Sequence, residues 1–214
     1  MGKKIKEWCE MEEFNIVLAG VGGQGILLSA EILGTAALKD GLNVRVSEIH
    51  GMAQRGGAVT SNVRIGEKVL APTTLEGTAD VLLGFEPLET LRNLKFASEK
   101  TLVLMNNEAV PPAGMTTKMM NYPSLEEIIE KIRAFTKNVV VMEAAKLAEK
   151  AGSILTRNIV LIGGLAATGK VPVQIENLKE AIRELVPAKY AEMNMKAFEL
   201  GYDYVQRNAK LGTF

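Results

Sequence analysis

The feature that most constrains this chain is a glycine-rich turn inside the sequence FNIVLAGVGGQGILL, at residues 14–28. An apolar run typical of a buried strand stops at Gly20, and helical periodicity begins after Gly25. With Gly22, these glycines fit the G-x-G-x-x-G spacing that turns a chain sharply and lets its backbone approach a phosphate. The N-terminus of the following helix then attracts an anion. The turn predicts a nucleotide site, or alternatively tight strand-to-helix packing without a ligand.

A second glycine cluster, GMAQRGG at residues 51–57, directly follows His50 and the next predicted strand. The carboxyl ends of strands in an open α/β sheet line one crevice, so we expect both loops to converge there. Arg55 is suited to bind a carboxylate or phosphate, or alternatively is a solvated surface charge. The amide of Gln24 is suited to donate to a phosphate or to a partner's backbone. His50 suits a ligand contact or a purely structural role. Glu48 stands near the place of a ribose-binding acid but runs straight into the second cluster. The candidate ligand-site or partner-site residues are Gly20, Gly22, Gly23, Gln24, Gly25, His50, Gly51, Gln54, Arg55, Gly56 and Gly57.

Strand and helix patterns alternate along most of the chain, which predicts an α/β fold with a mostly parallel sheet and a helical C-terminal end. A polar leader is expected at 1–12 and a single domain at 13–214. The first strand, helix and second strand predict a βαβ unit with parallel strands. Strands are predicted over 15–19, 43–49, 58–65, 79–85, 101–105 and 139–142. Helices are predicted over 26–39, 86–96, 124–136, 143–151, 158–168, 174–186 and 188–208.

Local signals refine these elements. Ser124 opens a capping box, and Thr156 is expected to cap the apolar helix that follows it. The glycine pair 163–164 inside that helix predicts close helix packing. Residues 69–70 are expected to return as a short hairpin partner of the strand over 58–65. The last helix is expected to dock on the body through Tyr190, Met193, Ala197 and Tyr204.

Composition narrows the function. The charge balance of 25 basic and 25 acidic residues gives no sign of nucleic-acid binding. No apolar stretch is long enough for a membrane span, and the N-terminus lacks the apolar segment of a signal peptide, so the cytoplasm is expected. With only Cys9 and His50, the chain cannot supply the ligands of an iron–sulfur cluster or a zinc site, and Cys9 is expected to be a spectator thiol. No catalytic residue is assigned. Glu86 is interpreted either as a functional acid or as an ordinary acid at a helix start. Residues 106–107 are predicted to form a turn.

Three blocks in order resemble a known family: GVGGQGILLSAEILGTAALKDG at 20–41, VSEIHGMAQRGGAVTSNVRIG at 46–66 and ADVLLGFEPLETLR at 79–92. They are similar to the gamma subunit or domain of the 2-oxoacid:ferredoxin oxidoreductases. The form GMAQRGG, with histidine before it, is most similar to the beta subunit of the indolepyruvate ferredoxin oxidoreductases. The resemblance implies a three-layer α/β/α sandwich of Rossmann-like kind. Two other readings stay open, a stand-alone nucleotide-binding reductase and the gamma subunit of a pyruvate- or 2-oxoglutarate-type enzyme.

The resemblance also implies a heteromeric enzyme that decarboxylates aryl 2-oxoacids and passes electrons to ferredoxin. Thiamine diphosphate, Mg²⁺ and iron–sulfur clusters are then expected on a partner alpha subunit, with no cofactor in this chain. The sequence also lacks the acidic G-D-G pattern of a thiamine diphosphate site. Coenzyme A and the aryl 2-oxoacid are expected at the interface, where Gln24, His50, Gln54 and Arg55 would shape their path. The opening glycine turn is then one wall of a composite site.

Overall fold

The computed structural model describes residues 12–50, 56–110 and 122–210, with the backbone alone at positions 50, 209 and 210. The strands in this part of the chain are β1 (Phe14–Val21), β2 (Val44–His50), β3 (Ala58–Ile65), β4 (Ala79–Gly84), β5 (Ala97–Asn106) and β6 (Val139–Met142). The helices are α1 (Ile26–Lys39), α2 (Pro87–Arg92), α3 (Leu125–Phe135), α4 (Ala144–Ala151), α5 (Arg157–Ala167), α6 (Ile175–Leu185) and α7 (Ala191–Lys210). The predicted leader, except residue 12, lies outside the described residues, and the single domain over 13–214 stays a prediction.

The six strands form one sheet in the order β2-β3-β1-β4-β5-β6. β1, β4, β5 and β6 pair in parallel, whereas β3 is antiparallel to both β1 and β2. The predicted unit β1–α1–β2 is present and its strands run in the same direction, but β3 lies between them. The reason is the link at residues 51–57, which is too short for a parallel crossover of about a dozen residues and returns β3 as an antiparallel neighbour.

Helices cover both faces of the sheet, which confirms the three-layer α/β/α prediction. On one face, Ile16 and Leu18 of β1 pack in a large core with α1, α4, α5, α6 and α7. On the other face, Val17 and Ala19 of the same strand join a smaller core with α2 and α3. These alternate residues are all fully buried, because β1 is a central strand covered on both sides.

Close packing of α5 on α7 confirms the interpretation of the internal glycines. A Cβ at Gly163 would overlap the carbonyl oxygen of Phe198, and one at Gly201 would overlap that of Val160. The two helix backbones therefore touch, and any larger side chain would push them apart.

No helix among the described residues is long and apolar enough to cross a bilayer.

Residues 69–70 do not form the predicted hairpin partner of β3. Within the described segment 66–78 there is no strand, and Val69 is buried while Leu70 is 87% exposed. The guanidinium of Arg64 on β3 donates to the carbonyl oxygens of Ala71 at 2.8 Å and Thr73 at 3.2 Å. These bonds hold the segment against the sheet as an irregular loop, since they satisfy its carbonyls without a ladder.

Two predictions about the C-terminal helices are right only in part. Thr156 is the N-cap residue of α5, but its hydroxyl donates to the carbonyl oxygen of Ser153 at 2.9 Å and makes no capping bond to the helix. Tyr190 lies in another 3₁₀ turn before α7 and is 44% exposed. Tyr204 is half-buried and packs against the core, and of the predicted docking set only Ala197 is fully buried. The face that docks carries Asn194, Ala197, Phe198, Gly201 and Val205.

Candidate functional site

The two glycine loops meet at the carboxyl end of β1. The N–H of Gly22 donates to the carbonyl oxygen of Gly57 at 2.8 Å, and the N–H of Gly56 donates to that of Gly22 at 3.3 Å. These bonds continue the β1–β3 ladder past its last pair, Val21 with Ala58. The loops therefore form one backbone-linked surface at the edge of the sheet where ligands of open α/β folds bind.

Gly25 makes the turn into α1 possible. It takes a left-handed conformation with φ of 79° and precedes the helix as its N-cap residue. A Cβ there would lie 2.8 Å from the amide group of Asn158, which lies on α5. The position therefore needs glycine twice over, for its backbone angle and for the approach of a second helix. The packing interpretation of this glycine is correct, whether or not a ligand also binds.

Gln24 is turned inward, contrary to the prediction that its amide is offered to a phosphate or partner. Its Oε1 accepts from the N–H of Val21 at 2.8 Å, and its Nε2 donates to the carbonyl oxygen of Phe85 at 3.3 Å. The side chain is 7% exposed. A long amide reaches both groups because the sharp turn folds it back under the loop. Gln24 thus fixes the loop to the end of β4.

Asn106 continues this polar link across the sheet edge, where the sequence pattern predicted only a turn. It is the last residue of β5 and 1% exposed. Its Nδ2 donates to the same Phe85 carbonyl at 3.5 Å, and its Oδ1 accepts from the N–H of Ala144 at 3.1 Å. The chain of bonds joins the glycine loop, β4, β5 and the start of α4. Hydrogen bonds therefore connect these four parts of the chain at this edge of the sheet.

An open cleft of about 350 Å³ lies beside the glycine loop and the first turn of α1. The first backbone bond of α1 runs from the N–H of Ser29 to the carbonyl oxygen of Gly25 at 3.0 Å. The N–H groups of residues 26–28 therefore have no partner within their own helix and are available as donors. Among the described residues the lining is Gly22, Gly23, Gly25, Ile26, Leu27, Leu28 and Val59. This lining offers backbone hydrogen bonds and aliphatic contact, with no side-chain charge.

The remaining predicted site residues belong to the second loop. His50 ends β2 opposite Val59, and its side chain is outside the description. Gly51, Gln54 and Arg55 lie outside the described residues. Backbone pairing therefore brings the position of His50 to the same sheet edge as the glycine turn. Ligand roles for the whole predicted set stay predictions.

Glu86 is a buried anchor and fits the helix-start interpretation. Its carboxylate is fully buried at the N-terminus of α2 and accepts from the N–H of Glu89 at 2.8 Å, the N–H of Val110 at 3.3 Å and the hydroxyl of Tyr122. Burial, and then the hydrogen bond to Glu86, raise the pKa of Tyr122 above its ordinary value. Three donors satisfy the buried charge. Glu86 thereby ties α2 to the chain on either side of residues 111–121.

An ion pair lies near the same edge, at the start of α5. Nη1 of Arg157 lies 2.8 Å from a carboxylate oxygen of Glu108, and both side chains are partly buried. Neither residue belongs to a sequence motif, so only the tertiary structure shows that Arg157 and Glu108 form a pair. Within the described residues there is no group of three or more His, Cys, Asp or Glu side chains arranged to hold a metal.

Comparison with known proteins gives consistent matches across both loops. A family model described as pyruvate ferredoxin/flavodoxin oxidoreductase matches residues 15–204. The indolepyruvate oxidoreductase subunit IorB of Pyrococcus horikoshii is 47% identical over 192 residues, 89% of this chain and 95% of that protein. The pyruvate/ketoisovalerate oxidoreductases common subunit gamma of Pyrococcus abyssi is 30% identical over 190 residues, 87% of this chain and 94% of that protein. The crystal structure of the gamma subunit of a keto/oxoacid ferredoxin oxidoreductase from Geobacter sulfurreducens has a TM-score of 0.65 at 25% identity, covering 91% of this chain and 99% of that one.

Proposed function

The chain belongs to the pyruvate ferredoxin/flavodoxin oxidoreductase family, and we propose that it is the non-cluster subunit of a heteromeric indolepyruvate ferredoxin oxidoreductase. The complex oxidatively decarboxylates an aryl pyruvate in the cytoplasm, transfers the acyl group to coenzyme A and passes two electrons to ferredoxin. The chain alone is inactive. The observation that carries the substrate class is its 47% identity to the indolepyruvate subunit, against 30% to the common gamma subunit of the pyruvate and ketoisovalerate enzymes.

The proposal places the redox centres on a partner alpha subunit. An iron–sulfur cluster takes four thiolates, whereas this sequence has one cysteine, Cys9. The described lining of the cleft contains no carboxylate that could hold the Mg²⁺ of a thiamine diphosphate site. The described residues therefore do not fit thiamine diphosphate with Mg²⁺, and the single cysteine does not fit a cluster. Its contribution is to shape and close a site whose chemistry lies in the partner.

We assign the glycine edge to that composite site. The cleft beside α1 has free backbone N–H donors and aliphatic walls, which suit an uncharged or amide-bearing part of a substrate or of coenzyme A. Gln24 and Asn106 support this wall from behind through their hydrogen bonds. Of the side chains predicted to contact the ligand path, His50, Gln54 and Arg55 keep that role in the proposal, and Gln24 becomes a positioning residue.

Reconstitution with the partner subunit tests the substrate class. The complex is given indolepyruvate, pyruvate or 2-oxoglutarate with coenzyme A, and ferredoxin reduction is followed by its absorbance. We expect the ratio kcat/KM to be highest for indolepyruvate. A preference for pyruvate or 2-oxoglutarate would instead assign the chain to a gamma subunit of those enzymes.

The stand-alone reductase is tested on the purified chain. The G-x-G-x-x-G turn and the open N-terminus of α1 favour that alternative, because they would hold a dinucleotide phosphate. Our proposal predicts no bound chromophore and no saturable change in absorbance or melting temperature with FAD or NAD. A stoichiometric nucleotide complex would contradict it. Coenzyme A in the same titration shows how much of its site this chain supplies by itself.

A further inference from the structure

The strand β2 is an open edge of the sheet. It pairs with β3 on one side, and no other strand within the described ranges lies beyond it. Alternate N–H and C=O groups over residues 44–50 therefore point away from the sheet without a ladder partner. Exposed edges of this kind add a strand from another chain unless something covers them.

Apolar side chains are unusually exposed around this edge. Leu27 and Leu38 of α1 are 41% and 61% exposed, and Val46 and Ile49 of β2 are 41% and 52% exposed. Leu27, Glu31 and Leu38 lie on one stripe of α1 that faces away from the core. A helix stripe and an adjacent strand edge with this much exposed apolar surface are typical of a protein–protein interface.

A groove of about 440 Å³ runs between this stripe and β2. Gly34 forms its floor by letting Val46 approach the helix, where a Cβ would lie 3.1 Å from the valine side chain. The charged lining consists of the carboxylates of Glu31 and Glu48, with no lysine or arginine. The complete lining among described residues is Leu27, Glu31, Gly34, Thr35, Leu38, Val44, Val46 and Glu48.

We propose that this groove and the β2 edge, which we call the α1/β2 face, bind an extended segment of the partner subunit. The segment adds a seventh strand beside β2, places apolar side chains against Leu27, Leu38 and Val46, and carries a lysine or arginine toward Glu31. Main-chain hydrogen bonds to β2 supply affinity, and the carboxylate of Glu31 selects the basic segment.

A second copy of this chain fits the face poorly. A two-fold axis that pairs β2 with β2 keeps each face of the sheet on its own side. The two grooves would then adjoin, and their carboxylates would face carboxylates across the seam. Arg45 alternates with Val44 and Val46, and its guanidinium is already engaged by the Val44 carbonyl oxygen, to which Nη1 donates at 2.9 Å. Like charges at such a seam weaken self-association.

The face is continuous with the candidate site, which is why the partner subunit is the expected occupant. Leu27 lines both the groove and the cleft beside the glycine loop. The carboxyl end of β2 also leads directly into the second glycine loop. A partner strand bound along β2 would therefore end beside the composite site. This inference rests on the proposed function.

The test uses the reconstituted complex of the full chain with its cluster-bearing partner. Hydrogen exchange is measured by mass spectrometry on the free chain and on the complex. We expect the alternate amides of residues 44–50 that face away from β3 to become strongly protected on assembly. The variants Glu31→Lys and Leu38→Lys should each weaken assembly by about tenfold or more, as measured by analytical ultracentrifugation. The matched controls Glu149→Lys and Leu155→Lys alter exposed residues on other elements and should assemble as the wild type does.

The outcomes separate the two proposals. A wild-type complex that reduces ferredoxin, with unchanged exchange in β2 and normal assembly of both groove variants, would overturn the α1/β2 face alone. Protection of β2 in a homodimer of the isolated chain would overturn the choice of occupant. A wild-type chain that binds no cluster-bearing subunit would overturn the proposed function together with this inference. Circular dichroism of each variant checks that the chain is folded.

Discussion

Replacing Gln24 with alanine should destabilise the chain before it affects any ligand. The change removes the acceptor of the Val21 N–H and one of two side-chain donors to the Phe85 carbonyl, at 2.8 Å and 3.3 Å. The Val21 N–H loses its partner at a cost of about 1–3 kcal/mol. The Phe85 carbonyl keeps the weaker bond from Asn106, at 3.5 Å. Losing the bond from Gln24 to this carbonyl therefore costs about 0.5–1.5 kcal/mol. We expect the free energy of unfolding to fall by about 1.5–4.5 kcal/mol in total.

Urea unfolding followed by far-ultraviolet circular dichroism measures this difference. The control is Gln206→Ala, which removes one bond from a half-buried amide to the Ala167 carbonyl at 2.9 Å. It should cost about 0.5–1.5 kcal/mol. A Gln24→Ala loss no larger than that of the control would refute the positioning role. In that case the amide is free to meet a ligand, as the sequence alone suggested.

Three further perturbations test the turn, the helix contact and the buried tyrosine. Gly25→Ala should destabilise the chain more than the control Gly41→Ala. Both glycines have a positive φ, but a Cβ at Gly41 meets open space. Equal losses of stability in urea unfolding would contradict the contact between Gly25 and α5. Gly163→Ala should cost about 2 kcal/mol or more by forcing α5 from α7, and a melting temperature equal to that of the wild type would count against that packing. The pKa of Tyr122 is raised in the folded state, so its contribution to stability is present below its ordinary pKa near 10 and is lost as the pH rises through the folded value. Tyr122→Phe should therefore lose less stability than the wild type between pH values of about 9 and 11, and an identical loss would contradict the assignment.

The glycine turn shows how far local pattern carries a prediction. The spacing of Gly20, Gly22 and Gly25 between an apolar run and a helical period located the start of α1 correctly and placed the end of β1 two residues early. This succeeds because a left-handed turn, a buried strand and a helix start each depend on residues within one short window. Convergence of the glycine loops also followed, since it depends only on the direction of β1 and β2.

The pairing partners of the strands could not be predicted from such a short window. The pattern of β3 identified a strand, but not that it lies between β1 and β2, because strand order depends on which sheet edge is free when the chain returns. Asn158 contacts Gly25 from 133 residues away. No periodicity marks such a contact, so the packing reason for that glycine appears only in the structure.

The wrong assignments have the same physical origin. The inward turn of Gln24 depends on an unpaired N–H at Val21 and a carbonyl at Phe85, and neither is visible in a residue type. Of the face predicted for α7, Ala197 and Tyr204 do contact the core, whereas Tyr190 lies before the helix in a 3₁₀ turn. Residue spacing predicts the phase of a helix but does not show where the helix begins. The second glycine loop carries the remaining predicted side chains, and their ligand roles stay predictions.

Titration of the cluster-bearing partner with this chain shows whether the two subunits share one active site. The rate of ferredoxin reduction with indolepyruvate and coenzyme A is measured at a fixed partner concentration while this chain is added. We predict negligible activity from either subunit alone and a rise that saturates as the complex forms. A partner that reduces ferredoxin at the full rate without this chain would contradict the claim that the glycine edge completes a shared site.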